Sequence, residues 1–220
     1  MFKTETHAHV KESSKCGKIF ADDMSRAYKD AGYKTVIIAD HFQQRAFPDF
    51  YEISWEEKVD RFYKGYESAK IAGEKYNVNV IFSCEVRFNE SSNHYLLLGI
   101  DKDFLLKRSD LFDMGIKEFY PYAKEHGVTV VQAHPYRDGK NFPTTDYVDA
   151  IEIINSNPRH ENYTDKTIKL AEETHLPTTA GSDAHREEDI ALSGVISKTE
   201  IKTADDYVKL LLTKELELIK

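Results

Sequence analysis

Short apolar runs, each closed by a polar or ionisable group, recur along the chain and set its predicted elements. Phe2-Lys3-Thr4-Glu5-Thr6-His7-Ala8-His9 reads as a first strand and its exit. Met24, Ala27, Tyr28 and Ala31 then follow the i, i+3, i+4, i+7 spacing of a helix, begun at Asp22-Asp23 and stopped by Gly32. Lys34 to Ala39 is a strand buried on both faces, ending at Asp40-His41. Ser54 and Glu57 form a capping box for a helix that presents Val59, Phe62, Tyr63 and Tyr66 on one face and runs to about Tyr76. Val78 to Cys84 is a third strand, ending at Glu85, and Tyr95 to Ile100 a fourth, begun by His94.

Only Val86 to Asn93 separates the third and fourth strands, too short a link for a parallel crossover. The pair is therefore expected to be an antiparallel hairpin, which would put Glu85 and His94 on one rim. Asp101 to Gly127 reads as helical pieces, with Pro121 arguing against one continuous helix. Val128 to Ala133 ends at His134, Val148 to Ile154 at Asn155, and Leu176 to Ala180 at Gly181-Ser182-Asp183-Ala184-His185. A helix from about Glu161 to Thr174 precedes the last of these, Gly194 to Ser197 reads as a short extra strand, and Thr203 and Asp206 open a C-terminal helix with Val208, Leu211 and Leu212 inward.

Alternating strands and helices predict a single α/β domain over residues 1–220. A barrel would carry its chemistry at the C-terminal rim of its strands, where these polar residues fall. The alternative is an open doubly wound sheet, which also clusters groups at strand ends but here lacks a Gly-rich loop after the first strand.

Composition narrows the function. The 220 residues are 40% hydrophobic, with a formal net charge of -8 and a sequence pI of about 5.6. An acidic chain disfavours long nucleic acids, which need clustered Lys and Arg. No run of about 18 apolar residues suggests a membrane span, and no signal-peptide pattern opens the chain, so a cytoplasmic protein is the expectation. Two cysteines make no disulfide framework. The sequence sets no oligomeric state.

Of nine histidines, six border strands: His7, His9, His41, His94, His134 and His185. His7 and His9 point the same way from an extended chain, because strand side chains repeat every second residue. Glu85 and Asp183 stand beside this set. Imidazole and carboxylate donors suit Zn²⁺, Mn²⁺ or Fe²⁺, and two or three such ions would make an acidic chain locally attractive to an anion. Bound metals bring the pKa of water toward neutrality, so a metal-activated hydroxide could attack a phosphate ester. Asp183, His134 and Glu85 are the expected catalytic residues. Glu152 and Asp40 are placed to hold imidazole N–H groups, and Arg137, Arg87 and Lys15 to bind phosphate. His126, His160 and His175 fall at helix ends, Cys16 reads as a small loop residue and Cys84 as core. Phe42, Phe47 and Tyr136 could line a leaving-group pocket or pack under loops.

The ordered set His7-Ala8-His9, Asp40-His41, Glu85, His94, His134-Pro135 and Gly181-Ser182-Asp183-Ala184-His185 resembles the motifs of the PHP superfamily (polymerase and histidinol phosphatase) over nearly the whole chain. The resemblance implies a distorted seven-stranded (β/α) barrel, TIM-like, with up to three metals. His7, His9, Glu85 and Asp183 would hold the first; Glu85, bridging, with His94 and His134 the second; His41 and His185 the third, for which Glu12 is the candidate further ligand. Val10 and Ala39 stand where such chains often have Thr. The implied activity is hydrolysis of a small phosphomonoester: histidinol phosphate, a nucleotide or short oligonucleotide phosphate, or phosphotyrosine. The alternatives are a metal-dependent amidohydrolase and a non-catalytic PHP-like metal-binding module.

Overall fold

The computed structural model describes residues 1–220. Its strands are β1 (Phe2–Ala8), β2 (Tyr33–Ile38), β3 (His41–Phe42), β4 (Asn79–Phe82), β5 (Cys84–Val86), β6 (His94–Leu98), β7 (Thr129–Ala133), β8 (Ala150–Asn155), β9 (Thr178–Gly181), β10 (Gly194–Ser197) and β11 (Glu217–Ile219). Its helices are α1 (Ala21–Asp30), α2 (Trp55–Tyr76), α3 (Lys102–Leu106), α4 (Leu111–Met114), α5 (Ile116–Glu125), α6 (Thr164–Thr174) and α7 (Ala204–Leu212).

The mixed α/β fold carries two sheets, ordered β11-β10-β1-β2-β4 and β3-β5-β6-β7-β8-β9. Backbone bonds sew them together at two seams. At the first, the chain bends between β2 and β3 and between β4 and β5. The ladder nevertheless continues, with Ser83 N–H donating to Ile38 and Glu85 N–H to Asp40, both at 2.9 Å. At the second, the exit of β1 meets the loop after β9. There Ala184 N–H donates to His7 at 3.2 Å, His9 N–H to Ala184 at 3.0 Å, and the Thr6 hydroxyl to the Ala180 carbonyl at 2.7 Å. Strand pairing thus draws two sheets rather than one closed ladder.

The hairpin expected from the short 86–93 link is present. β5 and β6 pair antiparallel, with Glu85 opposite Leu96 and Val86 opposite Tyr95. β6 is antiparallel to β7 as well, so it runs against both neighbours. This reversal brings His94, at the start of its strand, to the rim where the parallel strands end.

Alternate residues of each strand face different layers, as the strand period requires. Ile37 and Ala39, Leu96 and Leu98, and Val131 and Ala133 pack between the sheets with Val195, Tyr207 and Leu211. The opposite faces of the same strands bury Val36 and Ile38 with Met24 and Tyr28 of α1. Cys84, Val86, Leu97 and Val130 pack with Phe62 of α2 and Phe119 of α5. Phe42 lies in this outer layer against Phe47, Trp55, Phe62 and Phe112, so its ring is core rather than pocket wall. No helix is long and apolar enough to cross a membrane.

Four local expectations change. The helical break falls at Gly115, whose φ of 76° disrupts the helical path, and Pro121 lies inside α5. Pro121 and Lys117 are both on the exposed face, so the carbonyl that the ring leaves without an N–H partner faces water. Leu212 is 43% exposed, because Tyr207 and Leu211, four residues apart, already define the buried face of α7. Ser54 accepts from Glu57 N–H without the reciprocal bond, whereas Thr203 and Asp206 complete both halves of the box. The chain after α7 adds β11, a three-residue edge strand with no strong strand pattern of its own.

Candidate metal centre

Each candidate ligand leaves a strand end on the same rim. His7 and His9 leave β1, His41 opens β3, Glu85 sits in β5, His94 opens β6, His134 follows β7, and Asp183 and His185 follow β9. The period-two geometry of β1 turns His7 and His9 to one side, with ring centroids 5.0 Å apart. The expected convergence of His7, His9, His41, Glu85, His94, His134, Asp183 and His185 is what the structure shows.

Glu85 is the hub. Its Oε1 lies 2.8 Å from His134 Nε2 and 3.6 Å from His94 Nδ1. Its Oε2 lies 2.6 Å from His41 Nδ1 and 3.6 Å from Nε2 of both His7 and His9. One carboxylate thus offers a different oxygen to each half of the cluster. Asp183 Oδ1 stands 3.0 Å from His9 Nε2, 3.6 Å from His7 Nε2 and 3.3 Å from His185 Nδ1. Three groups place their ligand atoms within 4.8 Å of one another: His7 with His9 and Glu85, His41 with Glu85 and His94, and His9 with His41 and His185.

These atoms fit divalent cations better than they fit one another. His7 Nε2, both nitrogens of His9 and of His94, His41 Nδ1, Glu85 Oε2 and Asp183 Oδ1 are all buried without an aligned hydrogen-bond partner. A buried polar atom left unpaired costs about 1–3 kcal/mol, and so many in one place would be a severe burden on the fold. Electron-pair donors facing a common centre remove that burden once cations fill it.

Neighbouring residues fix the ligands from behind. Glu152 Oε1 lies 2.8 Å from His7 Nδ1, leaving Nε2 to face the cluster, and Oε2 accepts the His134 N–H at 3.2 Å and Asn155 Nδ2 at 2.9 Å. Asp40, the other expected supporter, accepts the Val10 N–H at 2.9 Å and bonds the Ser13 hydroxyl. Its Oδ1 is 3.7 Å from His9 Nδ1. Arg137 Nη2 bonds Asp183 Oδ2 at 2.6 Å and Asn155 Oδ1 at 2.7 Å, and Nε bonds Asn162 at 3.0 Å. His134 and Asp183 have positive φ of 31° and 50°, uncommon for residues with a side chain and concentrated at functional sites in general. Gly181 is required where it stands: a Cβ there would lie 2.6 Å from His7 Cβ and 2.9 Å from Glu152 Oε1.

Charge follows this packing. Burial pushes the Glu85 carboxyl up, but His41, His94 and His7 hold it well below the usual carboxylate range. Burial acts likewise on Asp183 and is overcome by Arg137 and His7. Asp40 is pushed up to about 7 by burial, against the bonds from Ser13 and Val10.

Glu12 is a correction. Its carboxylate accepts the Ala21 N–H at 3.0 and 3.2 Å, at the start of α1, and does not reach the cluster. A free helix-terminal N–H and the dipole behind it hold an acid there. The loop residue that does face His41 and His185 is Cys16, which sequence spacing gave no reason to favour. Burial pushes its thiol up, but the neighbouring His185 and His41 rings bring it down to about 5. Glu5 was also missed: buried, it accepts the N–H groups of Thr6, His7 and Ser182 and the Tyr28 hydroxyl, tying the exit of β1 to the Asp183 loop. A buried acid two residues before His-x-His is the only trace of this in the sequence. His126 and His175 cap helix ends as expected, and His160 pairs with Asp138 at 2.9 Å.

A cleft of about 450 Å³ opens above His41, His94 and His185. Arg137 and Arg87 line it, while Lys15 lines a smaller depression beside Cys16 and His41. Phe47 lines a further neighbouring depression, and Tyr136 lines none of these.

A family model described as PHP-associated matches residues 162–213, from α6 through the Asp183-Ala184-His185 loop to α7. Comparison with curated proteins finds no match. Among solved structures, the chain is similar to a two-domain protein from Bacteroides vulgatus containing a predicted PHP-like metal-dependent phosphoesterase. The TM-score is 0.68 at 15% identity, over 99% of this chain and 64% of that one, so this chain spans less than two thirds of that protein. It is also similar to PsfC from Pseudomonas syringae, with a TM-score of 0.66 at 17% identity over 94% of this chain and 87% of that one. A third similar structure is an amidohydrolase from Chromobacterium violaceum with bound sulfate and no metal, with a TM-score of 0.59 at 14% identity over 99% and 98%. The PHP-associated match covers α6 to α7, and the similar structures share this chain's α/β fold, with the candidate ligands converging on Glu85.

Proposed function

We propose that the chain is a metal-dependent phosphoesterase that hydrolyses a small phosphomonoester at a site for two or three divalent ions. The observation that carries this reading is the set of buried, unpaired ring nitrogens and carboxylate oxygens around Glu85. In this reading β1, β2 with β3, β4 with β5, β6, β7, β8 and β9 are the seven staves of a distorted (β/α) barrel. Residues 1–220 make one cytoplasmic domain of that kind.

His7, His9, Glu85 and Asp183 would hold one ion, Glu85 with His94 and His134 a second, and His41 and His185, with His9 nearby, a third. The donor set suits Zn²⁺, Mn²⁺ or Fe²⁺. Such ions supply Lewis acidity, which lowers the pKa of water and draws charge from phosphoryl oxygens. Asp183 keeps Oδ2 on Arg137 and turns Oδ1 inward, where it can orient a water and accept its proton. Arg137 lines the cleft with Nη2 and Nε already committed to Asp183, Asn155 and Asn162, leaving Nη1 for a phosphoryl oxygen. Histidinol phosphate, nucleotides and phosphotyrosine all satisfy this chemistry at the reacting phosphate.

The similar structure from Chromobacterium violaceum holds sulfate, a tetrahedral anion like phosphate. The same relative is an amidohydrolase, and amide hydrolysis is the second reading. Protein stripped by chelator should lose turnover of 4-nitrophenyl phosphate and regain it with Mn²⁺ or Zn²⁺. Restored turnover of amides without phosphate esters would transfer the assignment to the second reading.

A further inference from the structure

The cationic wall of the cleft contains one pair of guanidinium groups that the cluster does not use. Arg45 follows β3 in the turn Gln44–Ala46, and Arg87 follows β5. Register brings the two segments together: His41 pairs with Glu85, Phe42 with Val86, and Arg87 N–H donates to Phe42, with Arg45 three residues past Phe42. Both line the 450 Å³ cleft, and both line the adjoining depression as well.

Other arginines of the cleft are already neutralised. Arg137 is paired with Asp183 at 2.6 Å, Arg159 with Asp189 at 2.5 Å, and Arg186 stands 3.7 Å from Glu188. Arg45 and Arg87 instead touch only neutral acceptors, Nε of Arg45 on Gln43 at 2.8 Å and Nε of Arg87 on the Ser91 carbonyl at 2.9 Å. Arg87 is half-buried. Two like charges held together without a counter-ion, in a chain of net charge -8, mark a place that a bound anion would stabilise.

Distance separates this place from the reacting phosphate. Arg87 is two residues beyond Glu85, about 6–7 Å along the strand. An anion centred between Arg45 and Arg87 is therefore offset from one centred over Glu85. We infer that Arg45 and Arg87 form a second anion subsite, and that the substrate is a compact phosphomonoester carrying a second phosphate or carboxylate a few bonds from the phosphate that leaves. This deepens the phosphoesterase reading and rests on it. It disfavours phosphotyrosine as a free side chain with only its aryl ring to offer, and it disfavours a phosphate ester bearing a cationic tail such as histidinol phosphate.

Two matched pairs of compounds test it on the metal-loaded full chain. One adds a carboxylate, glycerol 3-phosphate against 3-phosphoglycerate; the other adds a phosphate, fructose 6-phosphate against fructose 1,6-bisphosphate. The expected result is a kcat/KM at least tenfold higher for the doubly anionic member of one or both pairs, expressed in KM. The variant R45Q/R87Q should bring that ratio toward unity, and R45K/R87K should keep part of it. Equal rates within both pairs, or a ratio unchanged in R45Q/R87Q, would overturn the subsite. Calorimetric binding of the same compounds separates the two levels of the argument. Binding that favours the doubly anionic member and depends on Arg45 and Arg87, without turnover of any phosphate, would sink the phosphoesterase reading while supporting the subsite. Turnover with no such preference would sink the subsite alone.

Discussion

Glu152 Oε1 lies 2.8 Å from Nδ1 of His7, at the centre of a fully buried contact between β8 and β1. The other oxygen of Glu152 accepts the His134 N–H, so one carboxylate sets two of the cluster's histidines. Glu152→Gln is expected to keep the fold and to weaken metal affinity about 10–100-fold, the usual effect of losing a partner behind a metal-ligating histidine. Competition against a chelator of known affinity reads this directly. An affinity equal to that of the parent would mean that Glu152 is only a structural partner.

His134→Ala is expected to abolish turnover and lower metal content while unfolding stays cooperative. The variant removes the ring 2.8 Å from Glu85 Oε1 and frees that oxygen on the side shared with His94. Elemental analysis after gel filtration checks it, and unchanged stoichiometry would remove His134 from the ligand set.

Gly181→Ala places a methyl group 2.6 Å from His7 Cβ. Overpacking of this kind costs about 1–3 kcal/mol, and here it also pushes His7 away from Glu152. A urea titration should show a lower midpoint at unchanged slope. A midpoint equal to that of the parent would show that the β1–β9 seam yields more than its packing implies.

Stability should also report Asp189. Its buried carboxyl is pushed up by burial but held below the usual range by Arg159 and by the N–H groups of His185 and Arg186. A depressed folded-state pKa means that the stabilisation is full above the unfolded value of about 4 and fades as pH falls through the folded one. Asp189→Asn should therefore cost about 1–3 kcal/mol at pH 7, with the gap from the parent narrowing below pH 4. A gap that stays constant down to pH 2 would contradict this.

Much of the site could be read before any coordinates. The His7/His9 pair follows from strand period alone, and the 86–93 link required the hairpin that swings His94 beside Glu85. Those inferences held because each depends on local geometry that tertiary packing cannot easily override. Glu12 and Cys16 exchanged their expected places for the opposite reason. A loop between a strand and a helix has no period, and the free N–H at the start of α1 drew in the acid. Leu212 was misassigned because the apolar face of α7 is narrow, and β11 went unread because a three-residue edge strand leaves little pattern. The two-sheet pairing was invisible for a similar reason: β3 is only two residues long beyond the polar Asp40, and the apolar run from Val78 to Cys84 carries on either side of the break at Ser83.

The most direct measurement is the number of divalent ions bound by stripped protein, counted by calorimetric titration with Zn²⁺ or Mn²⁺ in the parent and in Glu85→Ala. If Glu85 joins both halves of the cluster, the parent should bind two or three ions per chain, and the variant should lose more than one of them. A parent that binds none, or a variant that binds as many ions as the parent, would contradict the shared site.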